Sequence, residues 1–312
     1  MRRRHLLALA GGVAATPAFA QKVPRIGFLV AGDAEPSWTL FRKGMAELGH
    51  VEGRTVVYEY RDSGVNHGTI DKLAASLADL QVDVIVAVLS QAILAAKNAT
   101  SRIPIVFFGG APFVGGVSSV ARPEGNVTGA YSPSTTLAGK GLQLFHEIRP
   151  VTKAFGLLLN PLDPFHVPLQ RDVETAASAE KIAIMPILIK APGELPAAFE
   201  AMVAARVDGV LVQPSLGFGP PAELALKHRL PAISFRREFA EAGGLLSYGA
   251  SQAEGLRLVA TYVDRILKGA RPADLPVQQV TRFELVVNQK TARALGIALS
   301  PIFLARADEI IE

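Results

Sequence analysis

Asp83-Val-Ile-Val-Ala-Val-Leu-Ser90, then Ile103-Pro-Ile-Val-Phe-Phe108 followed by Gly109-Gly110, then Gly125-Asn-Val-Thr-Gly-Ala-Tyr131: this stretch decides the fold. The first two segments are continuous apolar runs of strand length that stop abruptly at small or polar residues. Continuous rather than alternating apolarity suits strands of a parallel sheet covered on both faces. Ligands of such sheets bind beyond the carboxyl ends of the strands. Ser90 and Gln91, Gly109 and Gly110, and Thr128 to Tyr131 all fall at those ends, so this stretch predicts one wall of a cleft.

Outward from it, strand and helix patterns alternate. Before it come an apolar strand from Arg25 to Ala31, a helix marked by Trp38, Phe41, Met45 and Leu48, a strand from Arg54 to Tyr60, and a helix marked by Ile70, Leu73, Leu77 and Leu80. After Tyr131 a second series begins. Its strands are read at residues 153–160, 182–189, 208–213 and 231–235, with helices between. Regular alternation predicts right-handed βαβ crossovers and two α/β lobes with parallel sheets. A cleft between the lobes is a common ligand site. No repeat links the two halves. The strand near 243–249 and the helix marked by Leu256, Val259, Val263 and Ile266 form a lone unit. It predicts that the chain returns to the first lobe before finishing in the second. Lobe one is expected to hold residues 24–132 and 248–278, and lobe two residues 133–247 and 279–312.

Residues 1–20 read as an export signal. Arg2, Arg3 and Arg4 form a basic start, Leu6 to Ala15 a short apolar core, and Ala18-Phe-Ala20 a small-x-small cleavage site. The apolar core is too short to span a bilayer. The paired arginines also fit a twin-arginine route, so the route stays open. The formal net charge of +4 includes +3 from these arginines, which leaves +1 on the mature chain. No basic stripe points to nucleic acid. Roughly 290 residues remain, enough for two domains. The chain has no cysteine, which excludes disulfides and thiol catalysis.

Other motifs carry less. Gly217-Phe-Gly-Pro-Pro-Ala222 has dinucleotide-fingerprint spacing, with Glu238 near the place of a ribose-binding acid. Pro220 and Pro221, however, remove backbone donors that a phosphate needs, and a proline-started helix fits better. No two histidines pair at metal-site spacing, so no metal or cofactor is expected. Ser90 and Ser215 end strands outside any Gly-x-Ser-x-Gly. Ser90 reads both as a ligand contact and as a helix N-cap. Trp38 reads as packing with Phe41 and Met45 or as stacking on a flat ligand. Either Arg236 or Arg237 could face the cleft and hold an anion, and Tyr248 could serve a hinge or a ligand hydrogen bond.

Pro123-Glu-Gly-Asn-Val-Thr-Gly129, Gly243-Gly-Leu-Leu-Ser-Tyr-Gly249, the run from Ile266 to Val277 and the ending from Phe283 to Asp308 carry a resemblance. The chain resembles the ABC-transporter substrate-binding proteins of the family with tryptophan- and tyrosine-binding members. The resemblance implies a type I periplasmic-binding fold and a small-molecule solute between two lobes. It also implies a membrane permease with a separate ATPase subunit as partner. Ser90, Asn160, Gln213 and Tyr248 match its cleft positions. The amino-acid-binding members typically have Asp-Pro-Val after the fourth strand, where this chain reads Ala111-Pro-Phe-Val114. A ligand cation would thereby lose a partner worth about 1.5–3 kcal/mol. An uncharged or anionic solute is therefore expected, with Glu35 the nearest acid in sequence. Two alternatives stay open. One is an enzyme on an α/β fold, which needs a nucleophile–base pair that the sequence does not display. The other is a receptor feeding a sensor.

Overall fold

The computed structural model describes residues 22–32, 35–64, 67–110, 119–121, 123 and 125–312. The expected export signal and residues 111–114 lie outside them. The chain begins β1 (Arg25–Val30), α1 (Glu35–Glu47), β2 (Val57–Asp62), α2 (Ile70–Asp79), β3 (Val84–Val88), α3 (Ser90–Ala99), β4 (Ile105–Gly109) and β5 (Val127–Tyr131). It continues with α4 (Ser134–Ile148), β6 (Ala154–Leu159), α5 (His166–Ala179), β7 (Ala183–Leu188), α6 (Leu195–Ala204), β8 (Gly209–Val212), α7 (Gly219–Lys227) and β9 (Ala232–Ser234). The last part is α8 (Arg237–Glu241), β10 (Leu246–Ala250), α9 (Gln252–Leu267), β11 (Gln278–Gln279), β12 (Phe283–Asn288), α10 (Gln289–Leu295), α11 (Pro301–Leu304) and β13 (Glu309–Ile311).

These strands form two sheets. One has the order β11-β5-β4-β3-β1-β2 and is parallel throughout. The other has the order β13-β12-β10-β9-β8-β6-β7 and is parallel except where β12 meets β10. The continuous apolar runs lie in the middle of the sheets: β3 and β4 are buried along their whole length, because helices cover both faces. Edge strand β7 alternates between partly buried and exposed positions, and carries Pro186 where a missing donor is tolerated.

The chain crosses between the sheets after β5, after β10 and after β11. Strand β10 pairs with β9 and β12 in the second sheet, so Tyr248 to Ala250, the three residues expected to open the return to lobe one, belong to that sheet. A strand this short has no pattern that names its neighbours; its hydrogen bonds decide. The following α9 does pack on the first sheet, where Leu256, Val259, Ala260 and Val263 join Phe28, Phe41 and Met45 in one buried cluster. Its approach to α1 needs Gly44, since a Cβ there would lie 2.9 Å from the Cβ of Ala260. The second and third crossings are tied together. Ser251 N–H donates to the Arg282 carbonyl at 2.8 Å, and Arg282 N–H donates to the Glu254 carboxylate at 3.1 Å.

Candidate functional site

A cavity lies where the carboxyl ends of both sets of strands face each other. The first wall comes from the ends of β3, β4 and β5: Leu89, Ser90, Phe108, Gly109, Gly110 and Ser132. The facing wall follows β6, β8 and β9: Asp163, Phe165, Gln213, Ser215, Phe235 and Arg236. Ala250 and Gln252, flanking the second crossing, close one side. The cavity volume is about 50 Å³. One water needs about 10–15 Å³ on this measure, so a solute of more than a few heavy atoms enters only if the walls part. The walls already touch at Gly110, where a Cβ would lie 2.9 Å from the ring of Phe165.

The junction of β3 and α3 is strained. Leu89 has φ 71° and ψ 154°, a region almost reserved for glycine. Its N–H donates to the Phe108 carbonyl at 2.9 Å, and its carbonyl accepts from Ile93 N–H at 3.1 Å. This conformation sets Ser90 at the start of α3, at the cavity. Ser90 caps nothing by a side-chain bond among the described residues, since the N-cap position is taken by Leu89.

Of the residues expected from sequence, Ser90, Gly109, Gly110, Gln213 and Arg236 line the cavity. Five others do not. Trp38 packs into an aromatic cluster, 5.1 Å from Phe28 and from Tyr58 and 5.2 Å from Tyr60, with the guanidinium of Arg42 5.4 Å over its ring. Gln91 is buried behind Ser90 with Oε1 unpartnered. Tyr131 donates its hydroxyl to Gln279 Oε1 at 2.9 Å. Tyr248 lies on β10 near Phe283. Asn160 is a support: its N–H donates to Gln213 Oε1 at 2.9 Å, while its Oδ1 accepts from Leu162 N–H. Thr128 is buried, donating to the Leu275 carbonyl at 2.6 Å. Glu35 is exposed at the start of α1 and accepts from Thr39.

The arginine pair resolves into two roles. Arg237 points outward to Glu241 at 3.0 Å and Glu309 at 2.6 Å. Arg236 is buried at the cavity, but its charge is already met: Nε and Nη2 reach the Glu238 carboxylate at 3.2 and 3.3 Å. Nη2 also donates to Ser37 Oγ of α1 at 3.3 Å. Gln252 of α9 donates to Glu238 and accepts from Ser37. One buried network thus joins helices packed on the first sheet to the loop after β9 of the second. Burial alone would raise the Glu238 carboxyl, but Arg236 more than offsets this and holds it below the ordinary carboxylate range. The sequence singled out Glu238 only as the acid of a dinucleotide motif; its position instead neutralises Arg236.

Asp163 is a cavity-lining residue that the sequence did not disclose, as are Ser132, Phe165, Phe235 and Gln252. Asp163 is 3% exposed. Oδ1 accepts from Phe165 N–H at 3.0 Å and Oδ2 from Gln213 Nε2 at 2.8 Å. These donors are neutral. Burial pushes its carboxyl above the ordinary value, against the pull of those bonds, the Ser215 hydroxyl and the nearby His166. Asp163 lies three residues past the strand-end Asn160, beyond a search confined to strand termini.

The fold, paired sheets and interlobe cavity agree with comparisons to known proteins. Residues 32–311 match the family model described as ABC transporter substrate binding protein. The chain belongs to that family. The tyrosine-binding protein of Clostridioides difficile (strain R20291) is 23% identical over 265 residues, covering 82% of this chain and 75% of the relative. A solved ABC domain from Streptococcus pneumonia in complex with L-Trp aligns with TM-score 0.84 at 21% identity, covering 92% of this chain and 99% of that one. A conserved domain protein from Vibrio cholerae aligns with TM-score 0.84 at 24% identity, covering 93% and 100%. The fold of this ABC substrate-binding protein is therefore the type I periplasmic-binding fold. The family's members are binding proteins rather than enzymes. Among the described residues no group of His, Cys, Asp and Glu could hold a metal, and no helix is long and apolar enough to cross a membrane.

Proposed function

We propose that this chain is the exported solute receptor of an ABC-type importer, acting in the periplasm or an equivalent compartment after cleavage behind Ala20. It binds a small solute in the cavity and presents it to a membrane permease with a separate ATPase subunit. The observation that carries this reading is the cavity itself, built from strand ends of both sheets and spanned by the Ser37–Arg236–Glu238–Gln252 bonds. Lobe one comprises about residues 24–132 and 251–280, lobe two about 133–250 and 281–312, on the pairing of the strands. Opening of the two lobes admits the solute; closure restores the bonds across the cleft and removes water from it. Ser90, the Gly109–Gly110 backbone, Gln213 and Ser215 supply hydrogen bonds.

The test is a thermal-shift screen of the mature chain, residues 21–312, against amino acids, amines, aromatic acids, small carboxylates and sugars. A ligand at 100 times its dissociation constant stabilises the folded state by about 2.7 kcal/mol, which moves the melting temperature by several degrees. Hits are then titrated calorimetrically. The expected result is one-to-one binding without turnover. A screen in which no solute shifts the melting temperature counts against the receptor role.

A further inference from the structure

The cavity's charge is not balanced, and the imbalance names a ligand chemistry. This deepens the solute-receptor reading and rests on it. Arg236 and Glu238 neutralise each other within 3.2–3.3 Å. That removes the reason to expect an anion, for which Arg236 was to be the partner. Arg237 is committed to Glu241 and Glu309. Among the described residues, what remains lining the cavity with a charge is Asp163, whose hydrogen bonds come from the neutral Phe165 N–H and the Gln213 amide. His166, the nearest ring, turns its Nδ1 to the Asp163 backbone carbonyl at 2.8 Å.

The wall around Asp163 is built to hold it. Asn160 N–H fixes Gln213 Oε1, which forces the Gln213 amide nitrogen toward Asp163 Oδ2. Each carboxylate oxygen can accept more than one hydrogen bond, so acceptor capacity remains on the cavity side. A buried carboxylate without a cation is costly to keep. A ligand that brings the cation relieves that cost, and this differential gain favours binding.

We infer that the cavity selects solutes carrying a protonated or hydrogen-bond-donating nitrogen, an ammonium or amidinium, seated against Asp163, with the ligand's apolar part against Phe108, Phe165 and Phe235.

The experiment titrates the mature protein with matched probes that share one body and differ in charge: propylamine, propionate and propanol, then benzylamine, benzoate and benzyl alcohol. These are run beside the hits of the broad screen. The amine is expected to bind at least tenfold more tightly than its acid and its alcohol. Asp163→Asn is expected to fold, with a melting temperature no lower than wild type, and to lose at least tenfold in amine affinity while leaving the alcohol unchanged. The wild-type ratio of amine to acid needs no variant and stands if that one misfolds. Screen hits that lack a donor nitrogen, an acid or alcohol binding as tightly as its amine, or an amine unaffected by Asp163→Asn would each overturn the inference and leave the receptor role intact. A screen without any hit overturns the receptor role instead.

Discussion

Glu238 and Asp163 are two buried carboxylates that follow strands of the second sheet, 7% and 3% exposed, and they are held in opposite ways. Glu238 has a guanidinium on it, and its proton affinity falls. Asp163 accepts from a backbone N–H and the Gln213 amide, and burial raises its proton affinity. Burial is common to both, so burial does not decide the charge state; the partner does. The network that spans the cleft is the neutralised one, while the carboxylate without a cation among the described residues lines the cavity. On the amine inference, the buried charge left unmet is what makes the site selective, and the charge that is met holds the two halves in register.

The largest effect is expected from breaking the neutralised pair. Arg236→Met removes the cation and its contact 5.6 Å over the Phe218 ring, and strands Glu238 in the interior. Losing one partner of a buried pair costs about 3–5 kcal/mol. Denaturant titration followed by fluorescence reads this as a lower midpoint. Adding Glu238→Gln should recover much of the loss, because no unpaired charge then remains. A double variant no better than Arg236→Met would show that packing of the arginine, not its charge, holds the region.

Acid titration comes next and separates the two carboxylates by sign. Glu238 has a folded-state value below its ordinary 4.5. Its contribution is complete above 4.5 and is lost as pH falls through the lowered value. Asp163 has a folded-state value above its ordinary 3.8. It binds protons more readily when folded, so its contribution is complete below 3.8 and declines as pH rises through the raised value. Melting temperature against pH should therefore lose its acid-side fall in Glu238→Gln and its rise-dependent decline in Asp163→Asn. Amine affinity should likewise weaken as pH drops through the raised Asp163 value, with Arg236, Glu238 and His166 the other charged or titratable groups near it. Identical profiles for the two variants would erase the contrast between them.

The contrast also shows what a sequence can disclose. Apolar runs such as 83–89 and 103–108 announce buried parallel strands because burial on both faces demands continuous apolarity. That Ser90, Gly109, Gly110 and Gln213 line the cavity was legible because they stand at strand ends, and those ends are visible. Pairings were not. Nothing in Arg236-Arg237-Glu238 says which arginine turns inward, since that depends on Glu241 and Glu309 outside and on Ser37 and Gln252 across the cleft. Trp38 illustrates the converse: expected as a ligand contact but sharing a helical stripe with Phe41, it packs instead with Phe28, Tyr58 and Tyr60, partners that the stripe alone does not name. Asp163 escaped notice because its burial without a cationic hydrogen-bond donor among the described residues is a property of surroundings rather than of spacing.

A smaller effect is expected at the contact between walls. Gly110→Ala places a Cβ where the Phe165 ring now stands, 2.9 Å away. The ring belongs to the opposite lobe, so separation of the lobes relieves the clash more easily than repacking. Affinity for any screened ligand should fall several-fold with little change in the denaturation midpoint. X-ray scattering of the liganded protein should show a larger radius of gyration than wild type. An unchanged radius and affinity would mean that Phe165 swings aside within its own lobe.

The smallest effect should come from Ser37→Ala. Ser37 is fully buried on α1 and accepts from Arg236 Nη2 at 3.3 Å, while donating to Gln252 at 3.4 Å. Both bonds are long, and the Arg236–Glu238 pair survives without them, so no buried charge is exposed. Removing one such link is worth about 1 kcal/mol, or about fivefold in an equilibrium constant. That energy belongs to the closed state alone, because an open cleft separates Ser37 from Arg236 and lets water replace it. The loss should therefore appear in ligand dissociation rate rather than association rate, and hardly in the denaturation of the ligand-free protein. Stopped-flow measurement of both rate constants checks this. An equal slowing of association would place Ser37 on the entry path instead of in the closure, and would make the neutralised network part of recognition rather than of register.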